Sequence, residues 1–283
     1  MNAVAVAGAT ALSATALLGA PRPACRMGDF VPAAHALVAL LRASGVRLTA
    51  SLLRNVSGDF RESLRWLTDG GLVERLIDSG GVVLHVPLEK RISLDFYKNN
   101  IIHFFLVPSL LTRALLTGVP VPELKAHVAW WLDLYRWEFP LPQRDALATE
   151  IGRWLAHYQE TGALVGDAIV PEHAVVRTTC GILENFREAY LIAARTVAAQ
   201  QEWPIAQTAL TERMRRQFAT ALLLGEVQKP EGSSMVTFGN ALSRFGELGH
   251  VAVTPPKPER REPWIDRGPA FDRLPDLIAR FGT

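Results

Sequence analysis

A short pattern of helix, glycine and β-prone residues occurs three times in this chain, and it constrains the fold more than any other feature. The copies are residues 62–67 with Gly70 and Gly71, residues 150–158 with Gly162, and residues 240–248 with Gly249. Glycine suits the left-handed conformation that ends many helices, and a short strand or hairpin follows each one. The sequence therefore predicts a mainly α fold with short β-hairpins, a helical bundle with winged-helix-like units.

Longer helical segments separate the three copies. Residues 94–116 are apolar on all sides, which predicts one central buried helix, and residues 176–201 and 205–224 predict two amphipathic helices. Ser233 or Ser234 is expected to cap the helix that contains residues 238–248, and residues 271–281 are expected to form a closing helix. The chain accordingly divides into three predicted segments, residues 1–93, 94–175 and 176–283, each with one copy of the pattern.

Two apolar runs raise the question of a membrane. Residues 3–20 carry no charge but consist mostly of Ala, Gly, Ser and Thr, and no basic segment precedes them. A buried helix is therefore favoured over a membrane-associated helix or a cleaved signal. The second run, residues 101–119, is interrupted by His103, Pro108 and Arg113, which argues against a span.

Composition and spacing exclude several kinds of site. The net charge is only +2, and Cys25 and Cys180 lie far apart without metal-ligand spacing, so we expect no metal, no cofactor and reduced cytosolic thiols.

Acyl transfer to a hydroxyl without a covalent intermediate needs a general base, which a His and an Asp five positions apart provide. The residues five positions after the seven histidines are Leu40, Lys90, Pro108, Leu132, Gly162, Thr178 and Pro255. No catalytic residue is therefore predicted.

Two polar clusters are the candidate sites. One is Tyr97, Lys98, Asn99, Asn100 and His103; we expect a buried polar network, or alternatively a surface for a partner domain or a phosphate headgroup.

The other cluster contains Glu184, Arg187, Glu188 and Tyr190. Glu184 and Arg187 lie one helical turn apart, as do Arg187 and Tyr190, so they share a face and are expected to pair. Both clusters are structural or docking candidates.

Several blocks match a known family in order. Residues 94–111 read LDFYKNNIIHFFLVPSLL and residues 2–24 read NAVAVAGATALSATALLGAPRPA. Later blocks begin at Leu64 (LRWLTDGGLVER), Glu184 (ENFREAYLIAAR) and Met235 (MVTFGNALSRFGELGHV). Together they resemble the C-terminal, non-catalytic half of the glycerol-3-phosphate / dihydroxyacetone-phosphate acyltransferases.

This resemblance implies a role beside the first acylation step of phospholipid biosynthesis. The family's catalytic His/Asp pair and its phosphate-binding blocks precede this region and are absent here. The chain alone is then expected to be inactive and to work with an upstream acyltransferase domain or subunit. We expect a cytoplasmic protein, peripheral at the inner face of the cell membrane, held there by an upstream partner or by the aromatic and basic surface around Trp130, Trp131 and Arg136.

Two other functions stay open from the sequence. A winged-helix nucleic-acid-binding protein is the first, although the helices before the hairpins carry few of the Arg and Lys residues that phosphates require, so no nucleic acid is expected. The second is an enzyme of another class built around Asn99, Asn100 and His103.

Overall fold

The computed structural model describes residues 6–141, 144–256 and 261–282. Helices account for 63% of the protein, and the short strands form small sheets, so the predicted mainly α fold is confirmed. The chain divides into two compact units: residues 1–129 with 142–183, and residues 130–141 with 184–283. The three segments predicted from the sequence were divided by the copies of the repeated pattern, whereas these units are divided by compactness. The three segments stay a prediction.

The first unit is built mostly from helices. Its helices are α1 (Ala9–Gly19), α2 (Met27–Ala43), α3 (Ala50–Arg54), α4 (Val56–Asp69), α5 (Leu88–Asn99), α6 (Leu106–Leu116), the first part of α7 (Leu124–Leu134), α8 (Leu147–Thr161) and α9 (Ala174–Thr179). Its strands are β1 (Val6–Ala7), β2 (Ala24–Arg26), β3 (Arg47–Leu48), β4 (Glu74–Asp78), β5 (Gly81–His85), β6 (Leu164–Val165) and β7 (Ala168–Ile169).

Helix α1 is the buried centre of this unit and packs against α2, α4 and α5. Its small residues let neighbouring backbones approach closely, and Ser63 of α4 donates to Ser13 of α1 at 3.0 Å. The prediction of a buried helix is confirmed for residues 9–19, while residues 3–5 of the apolar run lie outside the described residues.

The second unit contains the end of α7 and a smaller set of elements. These are α10 (Glu184–Ala199), β8 (Ile205–Ala206), α11 (Gln207–Leu223), α12 (Met235–Glu247), β9 (Val251–Thr254), β10 (Trp264–Arg267) and α13 (Leu274–Arg280). Ser234 caps α12, because its side chain accepts a hydrogen bond from the amide of Thr237 at 3.3 Å. Helix α13 is the predicted closing helix.

All three copies of the helix, glycine and strand pattern are present. Gly71, Gly162 and Gly249 have φ angles of 65°, 77° and 77°, so each uses the left-handed conformation expected of it. Antiparallel pairs follow: β4 with β5, β6 with β7, and β9 with β10.

Two of the copies gain a third strand that the sequence did not predict. Strand β2 pairs with β5 to give the order β2-β5-β4, and β8 pairs with β10 to give the order β8-β10-β9. In both sheets a strand from before the helices joins the last strand of the pair. The two sheets therefore close two modules of the same topology, in residues 24–85 and 205–267.

Two predicted long helices are broken. Residues 94–116 form α5, a 3-10 turn (Ile102–Phe105) and α6, with a bend of 76°. Pro108 is the third residue of α6, where its missing N–H is tolerated because first-turn amides have no intrahelical partner. Residues 176–201 are interrupted between α9 and α10, where Gly181 approaches the backbone of Gly19.

Among the described helices, no single one is both long and apolar enough to span a bilayer. The bent pair of α5 and the segment 102–116 meets the length and composition requirement only when the two are taken together.

Candidate functional site

The cluster on α5 is organised by a carboxylate that the sequence analysis missed. Asp95 forms an ion pair with Lys98 at 2.7 Å and accepts a hydrogen bond from the Asn99 amide at 2.7 Å. The Lys98 ammonium also donates to the carbonyl of Ile182 at 3.3 Å, which links α5 to the segment before α10. The spacings of three and four residues place Asp95 within reach of both partners, and this was the signal in the sequence.

The predicted burial of the asparagines is wrong. Asn99 and Asn100 are both exposed, because α5 ends at Asn99 and the chain turns away, which leaves the amides at the helix end in solvent. Ile101 and Ile102, which follow them, are buried.

His103 is half-buried, contacts Phe104 in a tilted arrangement with ring centroids 4.0 Å apart, and has a pKa lowered by burial. Tyr97 is half-buried beside Trp66. The cluster therefore splits into a buried Lys98 ion pair and an exposed edge of amide and aromatic groups.

Glu184 and Arg187 pair as predicted, within the second unit. The Arg187 Nε donates to Glu184 at 2.7 Å, and another guanidinium nitrogen donates to the carbonyl of Phe281 at 2.8 Å, so the pair holds the end of α13. Glu188 accepts from the backbone amides of Gln228 and Lys229, both at 2.8 Å. Burial raises the pKa of Glu188 to about 7.

Tyr190 contacts Glu138 rather than Arg187, the residue that its spacing of one helical turn suggested. Its hydroxyl donates to Glu138 at 3.1 Å, and Asn240 donates to the same carboxyl at 3.0 Å. Burial raises the pKa of Glu138 to about 7, and burial followed by the Glu138 charge raises the pKa of Tyr190. Glu138 thus joins α10 and α12 to the segment after α7, a contact between residues too far apart in the chain for local spacing to reveal.

Glu138 should make the second unit less stable as pH rises. Its ordinary pKa of 4.5 applies when the chain is unfolded, so between about pH 4.5 and 7 the folded state binds more protons and stability falls. Glu138→Gln keeps one acceptor oxygen for Asn240 and places an amide N–H beside the Tyr190 hydroxyl, which can accept it, and it removes this titration. We expect the variant to be more stable than the parent at about pH 8, by about 2 kcal/mol, and nearly equal at about pH 5.

Urea unfolding at both pH values checks this expectation, with Glu202→Gln in an exposed loop as the control. Glu188 titrates in the same range, so the variant should lose part of the pH dependence rather than all of it. An unchanged pH dependence in the Gln variant would contradict the assignment to Glu138.

Two histidines have polar partners that could suggest catalysis. His85 Nδ1 lies 2.9 Å from Glu74, but the two residues face each other across β4 and β5 on an exposed hairpin, as sheet-stabilising pairs do. His35 Nε2 lies 3.4 Å from the Ser57 hydroxyl, longer than a productive nucleophile–base contact. Neither pair has the five-residue spacing of the acyltransfer motif.

A cleft of about 1020 Å³ lies where α1 ends and β2, α2 and α9 begin. Its charged groups pair largely with one another: Arg26 donates twice to Asp78, and Arg177 lies 3.5 Å from Asp29. Burial raises the pKa of the Cys25 thiol at its edge to about 11, so this thiol stays protonated at neutral pH. Among the described residues, no group of three or more His, Cys, Asp or Glu side chains is placed to hold a metal.

The predicted membrane contact near Trp131 is wrong for that residue. Trp131 is buried and packs edge-to-face with Phe281 at 5.5 Å. Arg280 covers the ring of the half-buried Trp130 at 4.6 Å. Both indoles therefore pack against residues of the second unit.

The fold and its clusters define a mainly α protein with winged-helix-like modules and internally paired polar groups. The chain belongs to the family described as the glycerol-3-phosphate acyltransferase C-terminal region, which it matches over residues 1–254. The resemblance seen in the sequence is thereby confirmed.

Curated relatives agree with this family. The chain is similar to glycerol-3-phosphate acyltransferases of Shewanella baltica strains OS155, OS185 and OS195, with 24% identity over 186 residues in each case. The match covers 62% of this chain but only 22% of each relative. The matched part of the chain therefore spans about a fifth of the length of these relatives.

Proposed function

We propose that this chain is a non-catalytic C-terminal region of a glycerol-3-phosphate 1-O-acyltransferase system, acting beside the first acylation step of phospholipid biosynthesis. The observation that carries the proposal is a family match over residues 1–254 in a sequence where no histidine has an acidic residue five positions on. The acyltransfer chemistry would then come from a separate domain or subunit.

The arrangement of the polar side chains supports this role. Lys98 and Asp95 form an ion pair within α5. Glu188 accepts hydrogen bonds from two backbone amides. Glu138 is held by Tyr190 and Asn240. Such paired groups fix the packing of helices, whereas a general base needs an open position beside its substrate.

The same proposal places the protein in the cytoplasm, peripheral at the inner face of the cell membrane. Its contact with the membrane would pass through the acyltransferase partner, because Trp131 is buried and Trp130 is covered by Arg280. The small residues of α1 contribute little transfer free energy to a bilayer.

The winged-helix-like topology also suits nucleic-acid recognition, which we place second. Helix α4 occupies the position of a recognition helix, but Arg61 and Arg65 on it are balanced by Asp59, Glu62 and Asp69. Phosphate contacts require an excess of positive charge on such a helix. The family match favours the acyltransferase role.

Purified chain should not transfer acyl groups. We expect no thiol release above background with glycerol 3-phosphate and either acyl-coenzyme A or acyl-carrier-protein thioesters, because the base required for hydroxyl attack is missing. Full-length Shewanella baltica glycerol-3-phosphate acyltransferase in the same assay is the positive control.

Sustained turnover by the purified chain would contradict the proposal. His85→Gln would then show whether the His85–Glu74 pair is responsible, because this substitution removes the imidazole that would act as the base.

A further inference from the structure

Helix α5 has its polar and apolar faces reversed relative to an ordinary surface helix. The buried face carries Arg91 and Lys98, each only 1% exposed, around Leu94. Leu88, Ile92 and Phe96 are 58%, 64% and 66% exposed. A surface helix of a globular protein normally buries its apolar stripe and exposes its charges.

Leu94 is the one aliphatic residue among the three buried residues of α5, so the buried face gives little hydrophobic reason for this orientation. Taking a lysine out of water costs several kcal/mol, which the Asp95 ion pair at 2.7 Å and the Ile182 carbonyl only offset. The orientation that would bury Leu88, Ile92 and Phe96 would instead expose the charges. Burial within the first unit therefore does not explain why the apolar residues point outward.

The exposed residues form a continuous surface. Leu88, Ile92 and Phe96 recur every fourth residue and follow one side of α5 over about 12 Å. The Phe96 ring meets Tyr97 at 5.8 Å, and Tyr97 meets Trp66 of α4 at 5.7 Å. Trp66 is itself 51% exposed. We call these five residues the α5 surface; Asn99 and Asn100 lie exposed at its end.

We infer that the α5 surface is the docking site for the acyltransferase domain that this chain works with. The inference rests on the proposed function. In the relatives, the matched segment is 22% of the chain, so most of each relative is protein outside this segment and available to contact it. An aromatic and aliphatic centre with exposed amides beside it is the composition of a protein interface.

A bilayer fits the α5 surface less well than a protein does. Helices that lie on membranes carry an excess of Lys and Arg beside the apolar face. Next to this surface, Arg65 and Lys90 are balanced by Asp69 and Glu89. The charge that would attract anionic lipid is absent from these neighbouring positions.

Photo-crosslinking in the native cells tests the site with the full chain. The photoreactive residue p-benzoylphenylalanine replaces Ile92 or Phe96, and, as a matched control, Leu223, which is 89% exposed in the second unit. We expect positions 92 and 96 to crosslink to a polypeptide that contains an acyltransferase His/Asp pair, identified by mass spectrometry. The control position should not form this product.

A double variant, Ile92→Ser with Phe96→Ser, provides the second measurement. Both side chains are exposed, so the thermal midpoint should be unchanged, while copurification with the crosslinked polypeptide should fall about tenfold or more. A matched Leu223→Ser variant should keep full copurification.

The remaining outcomes overturn the inference. They are crosslinks only to a second copy of this chain, crosslinks only to lipid, products without an acyltransferase motif, or no product above that at position 223. None of them bears on the proposed lack of activity, which the thiol-release assay decides separately.

Discussion

Gly181→Ala is expected to destabilise the first unit severely. A Cβ atom at this position would lie 2.0 Å from the carbonyl oxygen of Gly19 and 3.0 Å from its carbonyl carbon. Both obstructing atoms belong to backbone at the end of the buried helix α1, so no side-chain rotation relieves the clash. We expect a loss of about 3 kcal/mol or more, or failure of the first unit to fold.

Urea unfolding followed by circular dichroism measures the effect. Gly152→Ala is the matched control, because Gly152 is an exposed residue inside α8 with no atom within 4 Å of the added methyl group. Alanine is the better helix former, so this control should gain about 0.5–1 kcal/mol. Equal stabilities for the two variants would mean that α1 and the segment before α10 do not approach as described.

The parts of the fold that follow from local chemistry were predictable. Gly71, Gly162 and Gly249 mark helix ends because few other residues adopt a positive φ, and Ser234 marks a helix start because its oxygen accepts an amide proton. These signals depend on residues a few positions apart. They located all three copies of the repeated pattern and the closing helix.

Contacts between distant segments were not predictable in the same way. The outer strands β2 and β8 have only three and two residues, too few for an alternating pattern. At the break before α10, Gly181 approaches Gly19, which lies far from it in the chain. The contacts of Glu138 with Tyr190 and Asn240 were not predicted either, because these residues lie about fifty and one hundred positions away in the chain.

The prediction of the site on α5 was wrong about burial and did not include Asp95. The sequence directed attention to the correct end of α5, but it predicted that Asn100 would be buried and treated residues 94–116 as a uniformly apolar helix. Apolar content on its own does not show which face a helix buries, and α5 buries Lys98 while it exposes Phe96. Only the three-dimensional neighbours of α5 reveal this reversal.

Lys98→Met is expected to cost about 3 kcal/mol in the free energy of unfolding. The variant leaves the Asp95 carboxylate, whose side chain is 13% exposed, without the ammonium group 2.7 Å away, and Asn99 alone does not neutralise it. Adding Asp95→Asn removes the uncompensated charge and keeps an oxygen for Asn99. The double variant should therefore recover more than half of the lost stability, which is the non-additivity of a coupled pair.

Urea unfolding of the two single variants and the double variant measures this coupling. Arg215→Met serves as the control: Arg215 pairs with Glu212 at the same spacing of three residues on α11, but both side chains are solvent-exposed. Solvent screening should make that change undetectable. Additive effects of Lys98→Met and Asp95→Asn would contradict a buried ion pair, and the reversed orientation of α5 would then need another cause.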